Sequence, residues 1–279
     1  MRVWAVCNQK GGVGKTTTAA NLAGLLAGRG ARTLLIDLDP HASLTGYFGF
    51  RPEEVTGGVY DLFRAQLMRS LPDPARVLYP TRVDKLDLLP ATLALATVER
   101  QAGTREGFGL VIQQTVRRLG GRYDYVLIDS PPGLGVLMVN ALAACDRLII
   151  PVIADFLSLH GLERMLHTLE MIRRARKREF PYTIVPTLYD RRTRVSSDSL
   201  KMLKERYGER LWPGVIPLDT KLREASQSHL PICLYRPECR AALAYAELLE
   251  DLLSIEGERT SYMVSASMPN KPKGLPLAG

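Results

Sequence analysis

A glycine-rich loop near the amino terminus carries the residues whose types and spacing best fit phosphate chemistry. Its glycines allow backbone N–H groups to converge on one anion, and the predicted helix after it adds the partial positive charge of its amino terminus. We expect Lys15 to reach the β- and γ-phosphates, Thr16 to offer its hydroxyl to Mg²⁺, and Thr17 to hydrogen-bond a phosphate oxygen. The predicted phosphate-binding residues are Lys10, Gly11, Gly12, Val13, Gly14, Lys15, Thr16 and Thr17.

The loop departs from the ordinary phosphate-loop pattern, because Gln9 stands where that pattern has its first glycine. It follows the form K-G-G-x-G-K-T-T instead, in which Lys10 is an additional lysine. Two ammonium groups this close along the chain repel each other unless both face a polyanion. A triphosphate supplies the compensating charge, so we predict that Lys10 and Lys15 both act in catalysis on ATP, with Mg²⁺ as the second cofactor.

Aspartates follow two predicted buried strands. Asp37 and Asp39 end the second strand, and Asp129 ends a later one, before a Pro-Pro-Gly turn. In open α/β sheets, ligands bind at the carboxyl ends of the strands. Asp39 can orient an attacking water, Asp37 is a candidate for hydrated Mg²⁺, and Asp129 is predicted to bind the metal through water. The alternative for Asp37 and Asp39 is that they only cap a turn before Pro40.

The elements that must position these residues alternate between strands and helices. Apolar runs of strand length occur at residues 3–7, 33–36, 86–89, 125–128, 147–152 and 182–186. Helical periodicity is found at residues 16–29, 108–119, 161–177, 196–207 and 239–253. This alternation predicts an α/β fold with a doubly wound, mainly parallel sheet flanked by helices. We predict a single domain over residues 1–254 and a flexible carboxyl-terminal tail over residues 255–279.

Composition argues against a disordered, fibrous or membrane-spanning protein. Hydrophobic residues make up 46% of the chain and charged residues 24%, a balance typical of globular domains. The four cysteines show no C-x-x-C spacing, and no apolar run is long enough to span a bilayer. We therefore expect a cytoplasmic protein with reduced thiols. The formal net charge of +8 favours polyanionic partners, but it can also serve solubility alone.

The loop and the two aspartate segments, with Tyr189–Arg194, Ile216-Pro217 and Glu224-Ala225, resemble the ParA/Soj branch of the ParA–MinD ATPases over about residues 1–254. The resemblance implies an ATPase of weak intrinsic activity whose two copies enclose ATP. In that arrangement Lys10 crosses to the phosphates held by the partner, and Asp39 positions the water for slow hydrolysis. It also implies a role in spatial positioning, with a protein adaptor that is ParB-like or belongs to a chemotaxis array.

Two departures bear on the cargo. The run D-P-H-A-S-L-T at residues 39–45 is similar to the ParC branch associated with chemotaxis and flagellar gene clusters. The segment I-P-L-D-T-K-L at residues 216–222 has one basic residue fewer, and one acidic residue more, than partition ATPases commonly have. His41 could tune Asp39 by hydrogen bonding, but we favour the simpler interpretation that it is a turn residue. The cargo is thus a chemotaxis array or a chromosome or plasmid partition complex, with a nucleoid-associated or polar location.

Partners other than the adaptor are less well specified. Nonspecific DNA binding through phosphates is expected if the basic side chains converge on one face of the dimer. The candidate DNA contacts are Arg192, Arg194, Lys221, Arg223 and Arg240. No membrane association is expected, because the last predicted helix is acidic. The alternative to a positioning ATPase is a metabolic ATP-dependent enzyme, such as an amidoligase that shares this loop.

Overall fold

A seven-stranded sheet forms the centre of the computed structural model, which describes residues 1–70, 73–102, 107–176 and 181–255. The strand order is β3-β4-β2-β5-β1-β6-β7, and all neighbours are parallel except β3 and β4. The strands are β1 Arg2–Val6, β2 Thr33–Asp37, β3 Tyr79–Pro80, β4 Leu86–Leu89, β5 Tyr125–Asp129, β6 Arg147–Ile153 and β7 Tyr182–Thr187. The mainly parallel α/β fold predicted from the sequence is confirmed.

Helices cover both faces of the sheet within the described residues. They are α1 Lys15–Gly28, α2 Ser43–Tyr47, α3 Val59–Leu67, α4 Ala96–Ala102, α5 Val111–Leu119, α6 Val136–Ala144, α7 Phe156–Arg176, α8 Arg194–Tyr207, α9 Lys221–Gln227, α10 Ile232–Tyr235 and α11 Arg240–Ile255. Alternate strand residues belong to two different buried clusters: Leu34 and Ile36 pack on one face, and Leu35 on the other. Burial on both faces explains why the strands are continuous apolar runs.

The strand order brings the chemically interesting segments together. The first strand, β1, lies between β5 and β6, and β5 lies between β1 and β2. Asp37 is therefore directly opposite Asp129 in the register of β2 with β5, and Val6 is opposite Asp129 in the register of β1 with β5. The glycine loop leaves β1 at the same edge of the sheet. Parallel pairing thus gathers the loop and the aspartate segments at the carboxyl ends of three adjacent strands.

Several boundaries differ from the sequence prediction. Helix α7 begins at Phe156, whereas the prediction began at residue 161. The two-residue antiparallel strand β3 and the short helices α2, α4, α6, α9 and α10 were not predicted. The predicted tail begins with Ile255, which is the last residue of α11, and the rest of it lies outside the described residues. Over the described ranges, no helix combines the length and apolarity needed to cross a membrane.

Candidate functional site

The glycine loop leaves open space in front of helix α1. Gly12 and Gly14 have φ angles of 74° and 86°, a left-handed conformation that favours glycine. A Cβ atom added to Gly11, Gly12 or Gly14 would meet no atom within 4 Å, so the protein does not fill the hollow of the loop. The back of the loop is held by the Thr187 hydroxyl, which donates to the carbonyl of Val13 at 2.8 Å. This is a concave, backbone-lined site of the kind that binds phosphate.

Lys15, the first residue of α1, lies within this site rather than in solvent. Its side chain is almost fully buried, and its ammonium donates to the carbonyl of Lys10 at 3.2 Å. Burial lowers the pKa of Lys15, and the negative charges of Asp129 and Asp39 oppose that effect. A buried ammonium whose hydrogen-bonding capacity is only partly used is suited to binding an additional anion.

Thr16 and Asp129 form the pair that the sequence assigns to Mg²⁺. The Thr16 hydroxyl donates to Oδ2 of Asp129 at 2.6 Å, whereas Oδ1 is buried and has no hydrogen-bond partner among the described residues. Burial raises the pKa of Asp129 well above its ordinary value. The negative charge of Asp37 raises it further, against the opposing effect of the Thr16 hydroxyl. The charge of the Asp129 carboxylate is therefore incompletely compensated, because Oδ1 accepts no hydrogen bond and the neighbouring Asp37 is also acidic.

These residues fit a hydrated Mg²⁺ bound together with nucleotide phosphates. No group of three or more His, Cys, Asp or Glu within the described ranges could hold a metal by itself. Mg²⁺ in phosphate-binding sites commonly takes only one or two protein ligands, with phosphate oxygens and waters completing its coordination. Thr16 and Asp129, whose second oxygen has no donor, provide such a partial ligand set. Their assignment to the metal remains a prediction.

Asp37 lies next to Asp129 but has a different environment. Its Oδ2 accepts hydrogen bonds from the backbone N–H and the hydroxyl of Thr45, at 2.8 and 2.7 Å. Its Oδ1 accepts from the backbone N–H of Asp39 at 3.0 Å. Burial raises the pKa of Asp37 to about 6, although these donors oppose the effect. With both oxygens already engaged, Asp37 orders the turn after β2, and its role toward Mg²⁺ stays a prediction.

Asp39 and His41 form a local pair at the edge of the site. Oδ1 of Asp39 lies 2.8 Å from Nδ1 of His41 and also accepts the backbone N–H of His41 at 3.0 Å. The Asp39 side chain is 12% exposed, whereas the His41 ring is 79% exposed. The ring of His41 thus contacts the carboxylate predicted to orient water, within a local turn, and whether it tunes Asp39 or only shapes the turn stays a prediction. The catalytic role of Asp39 remains a prediction.

Lys10 is engaged by residues that the sequence analysis did not identify. Its ammonium lies 3.2 Å from both carboxylate oxygens of Asp155 and 2.7 Å from the hydroxyl of Ser158. Asp155 also caps α7, since its Oδ1 accepts the backbone N–H of Ser158 at 2.6 Å. Burial raises the pKa of Asp155, but Ser158 and Lys10 together lower it below its ordinary value. The signal in the sequence was an aspartate before a helical pattern.

The five candidate DNA contacts lie outside the phosphate-binding loop, in segments that adjoin one another. Backbone hydrogen bonds join Tyr189 to Ile216 and to Leu218, so the turn after β7 runs beside the segment that leads into α9. Three of the basic side chains have acidic partners: Arg192 with Asp190, Arg194 with Asp198, and Lys221 with Glu224. In the part of the chain that is described, Arg223 and Arg240 form no ion pair. DNA binding remains a prediction.

Comparisons with known proteins agree with this geometry. A family model described as an AAA domain, AAA_31, matches residues 1–181. The sporulation initiation inhibitor protein Soj of Bacillus subtilis is 33% identical over 252 residues, which cover 90% of this chain and 98% of that protein. The chromosome-partitioning ATPase Soj of Thermus thermophilus is 38% identical over 253 residues, which cover 90% of this chain and 94% of that protein.

Among solved structures, this chain is similar to cobyrinic acid a,c-diamide synthase from Mycobacterium smegmatis with a bound ATP analogue and magnesium. The TM-score is 0.80 at 32% sequence identity, and the match covers 92% of this chain and 96% of that one. The resemblance extends over nearly the whole of both chains.

Proposed function

The chain belongs to the ParA/MinD-type P-loop ATPases, and we propose that it is a cytoplasmic positioning ATPase that binds Mg-ATP in the loop before α1. The observation that carries the proposal is the open glycine loop beside buried Lys15 and the Thr16–Asp129 pair. This combination supplies backbone donors, a cation and an incompletely bonded carboxylate in one place. Weak hydrolysis of ATP to ADP and phosphate is the expected reaction.

The residues divide the chemistry between them. Phosphoryl transfer depends mainly on positioning and charge stabilisation, which the loop amides and Lys15 provide for the β- and γ-phosphates. Thr16 and Asp129 would hold Mg²⁺, which when bound offsets the negative charge of the phosphates. Asp39, whose charge acts on Lys15, would orient the attacking water through Oδ2, the oxygen that His41 does not contact. His41 restrains the Asp39 carboxylate from the solvent side.

The contacts of Lys10 support a cycle between a monomer and an ATP-bound dimer. In a single chain its ammonium is held by Asp155 and Ser158. We propose that Lys10 leaves these partners on dimerisation and contacts the phosphates held by the second copy. The triphosphate would then be part of the interface, so that nucleotide state controls dimerisation by linkage. Hydrolysis removes the γ-phosphate and returns Lys10 to Asp155.

A second candidate function is favoured by the likeness to cobyrinic acid a,c-diamide synthase. An amidoligase of this type would use the same loop to bind ATP. Its ATP turnover would depend on a carboxylic acid substrate and a nitrogen donor, without any change in oligomeric state. The two relatives named Soj are 33% and 38% identical over 90% of the chain, a share close to that of the synthase. One of them is named a chromosome-partitioning ATPase, which favours the positioning function.

One experiment separates the two functions. Light scattering after size-exclusion chromatography measures the mass of the purified protein with Mg-ADP and with a Mg-bound non-hydrolysable ATP analogue. We expect a dimer only with the ATP analogue, and a monomer of Lys15→Ala under both conditions. A wild-type protein that binds the analogue but stays monomeric would contradict the positioning function. ATP turnover that appears only with cobyrinic acid and an amide donor would establish the alternative.

The cargo and partners form the finer part of the proposal. The names of the relatives favour a chromosome partition complex, for which we propose a ParB-like activator, while the D-P-H-A-S-L-T run favours a chemotaxis array. Arg223 and Arg240 are the best candidates for nonspecific DNA contacts, because neither forms an ion pair in the described part of the chain, although the charge of Arg240 helps to lower the pKa of Asp190. A fluorescent fusion that spreads over the nucleoid would support partition. Polar foci lost on deletion of chemotaxis genes would support the array.

A further inference from the structure

Helix α6 begins directly after the loop that follows Asp129, and its amino terminus has no local side-chain cap. The N-cap residue is Gly135, which offers no side-chain acceptor to the first turn. The first N–H groups of a helix have no acceptor within the helix and need one from elsewhere. Glu99 of α4 supplies it: Oε2 accepts the N–H of Val136 at 2.9 Å, and Oε1 accepts that of Leu137 at 3.2 Å.

Gly135 is fitted to this carboxylate. Its φ and ψ angles, −131° and −168°, describe an extended backbone that any residue can adopt. A Cβ atom at this position would nevertheless collide with all three atoms of the Glu99 carboxyl group. Glycine thus permits the close approach of Glu99, whose carboxylate would have to move away from a larger residue at this position. We call the contact of Glu99 with Gly135, Val136 and Leu137 the α6 clamp.

The other end of the same loop is fixed by the sheet. Asp129 is the last residue of β5 and pairs in register with Val6 of β1, and the Ser130 hydroxyl donates to the carbonyl of Val6 at 3.1 Å. Residues 131–134 therefore run between the sheet and the α6 clamp. Two of them are prolines, which have a fixed φ and no N–H group. The position of this short, stiff segment is set by its two ends.

Hydrogen bonds also connect the segment before Glu99 to the acidic turn after β2. The Thr45 hydroxyl donates to Asp37 at 2.7 Å and accepts the backbone N–H of Ala91 at 3.0 Å. Ala91 follows β4 and precedes α4, the helix that carries Glu99. Thr45 thus joins the acidic turn to the β4–α4 connection, and Glu99 separately joins α4 to the start of α6. The loop after Asp129 therefore ends at the α6 clamp, and the acidic turn after β2 is connected to it through the chain between Ala91 and Glu99.

We propose that Glu99 is a positioning residue for ATP turnover: its carboxylate fixes the α6 end of the loop that follows Asp129, and so sets where that loop meets the γ-phosphate and the attacking water. The proposal rests on the ATPase function proposed above. In this proposal Glu99 acts on turnover through the loop, because its observed hydrogen bonds go to the first turn of α6. Its loss should slow turnover without preventing the binding of ADP, because the glycine loop and Lys15 are untouched.

A double-mutant cycle tests the clamp. The variants are Glu99→Ala, Gly135→Ala and the double variant, with Glu247→Gln of α11 as a matched control on an exposed helical glutamate. The value of kcat is expressed per nucleotide site titrated with ADP, so a loss of folded protein does not lower it. Each single variant should lower kcat about fivefold, the effect of losing one helix cap, and change ADP affinity by less than about twofold. Since Gly135→Ala displaces the carboxylate, the double variant should be no slower than either single variant.

Each outcome has a distinct meaning. Variants with the same kcat per site as Glu247→Gln would overturn the clamp, and so would effects of the two substitutions that add in the double variant. Equal losses of ADP affinity and kcat would assign Glu99 a structural role only, which also overturns it. A wild-type protein that neither binds nor hydrolyses Mg-ATP would instead refute the proposed ATPase function.

Discussion

Replacing Asp155 by asparagine should strengthen the ATP-bound dimer. The Asp155 carboxylate holds the Lys10 ammonium at 3.2 Å, and the two side chains are 33% and 28% exposed. Asparagine is as good a helix cap as aspartate, so the hydrogen bond to Ser158 and the start of α7 should persist. The substitution therefore removes the charge that retains Lys10 in the monomer and leaves the local structure in place.

The expected gain in dimer stability follows from the number of Lys10–Asp155 ion pairs that dimerisation must break. A partly exposed pair of this kind contributes about 1 kcal/mol. Each dimer requires two Lys10 side chains to leave two Asp155 carboxylates, so the dimer should gain about 2 kcal/mol from the substitution. This corresponds to a dissociation constant lowered roughly 30-fold. The hydroxyl of Ser158 is retained by the variant and makes this value an upper bound.

Sedimentation velocity with a Mg-bound non-hydrolysable ATP analogue measures this dissociation constant directly. The matched control is Glu54→Gln, which neutralises one carboxylate of an exposed ion pair with Arg51 away from the site. It should leave the dimer unchanged. A dimer of Asp155→Asn that is as weak as wild type, or weaker, would refute the reasoning that Asp155 competes with the partner's phosphates for Lys10.

Further predictions follow from the acidic turn and the basic surface. Burial raises the pKa of Asp37 from 3.8 to about 6 in the folded, nucleotide-free protein. Because the folded state binds this proton more tightly than the unfolded state, protonation of Asp37 stabilises the fold. This stabilisation is complete below about pH 4 and is lost as the pH rises through about 6. In urea titrations, wild type should lose about 3 kcal/mol of unfolding free energy relative to Asp37→Asn over that range, and parallel pH curves would contradict this. Asp39→Ala should bind ATP and accumulate as a dimer in size-exclusion chromatography, whereas a monomer with full hydrolysis would disprove the assignment. Arg223→Ala and Arg240→Ala should each reduce the slope of log K against log salt for duplex DNA by about 1, and unchanged slopes would exclude these contacts.

Much of the fold and of the site could be predicted because the signals are local. The buried strands are continuous apolar runs, and the glycine loop lies between a strand and a helix, so the parallel sheet was correctly predicted. Asp37 and Asp129 could be expected at one edge because parallel strands end together. The predicted start of α7 at residue 161 was wrong, because the helix begins earlier, after the Asp155 cap. Gly161 lies inside the helix and packs against Lys10.

Contacts between distant segments could not be predicted from the pattern. The pairing of β1 with β6 brings Asp155 close to Lys10, and nothing near Lys10 in the sequence specifies an acidic partner. The start of α6 was missed because its N-cap is glycine and its acceptor, Glu99, lies on another helix. The strand β3 escaped detection because it has two residues, one of them proline.

Titration calorimetry with ATP, in the presence and absence of Mg²⁺, tests most directly whether the loop before α1 binds a triphosphate. We predict measurable ATP binding that strengthens with Mg²⁺ and is lost in Lys15→Ala. A folded wild-type protein with no magnesium-dependent affinity for adenine nucleotides would contradict the proposal that the loop binds Mg-ATP.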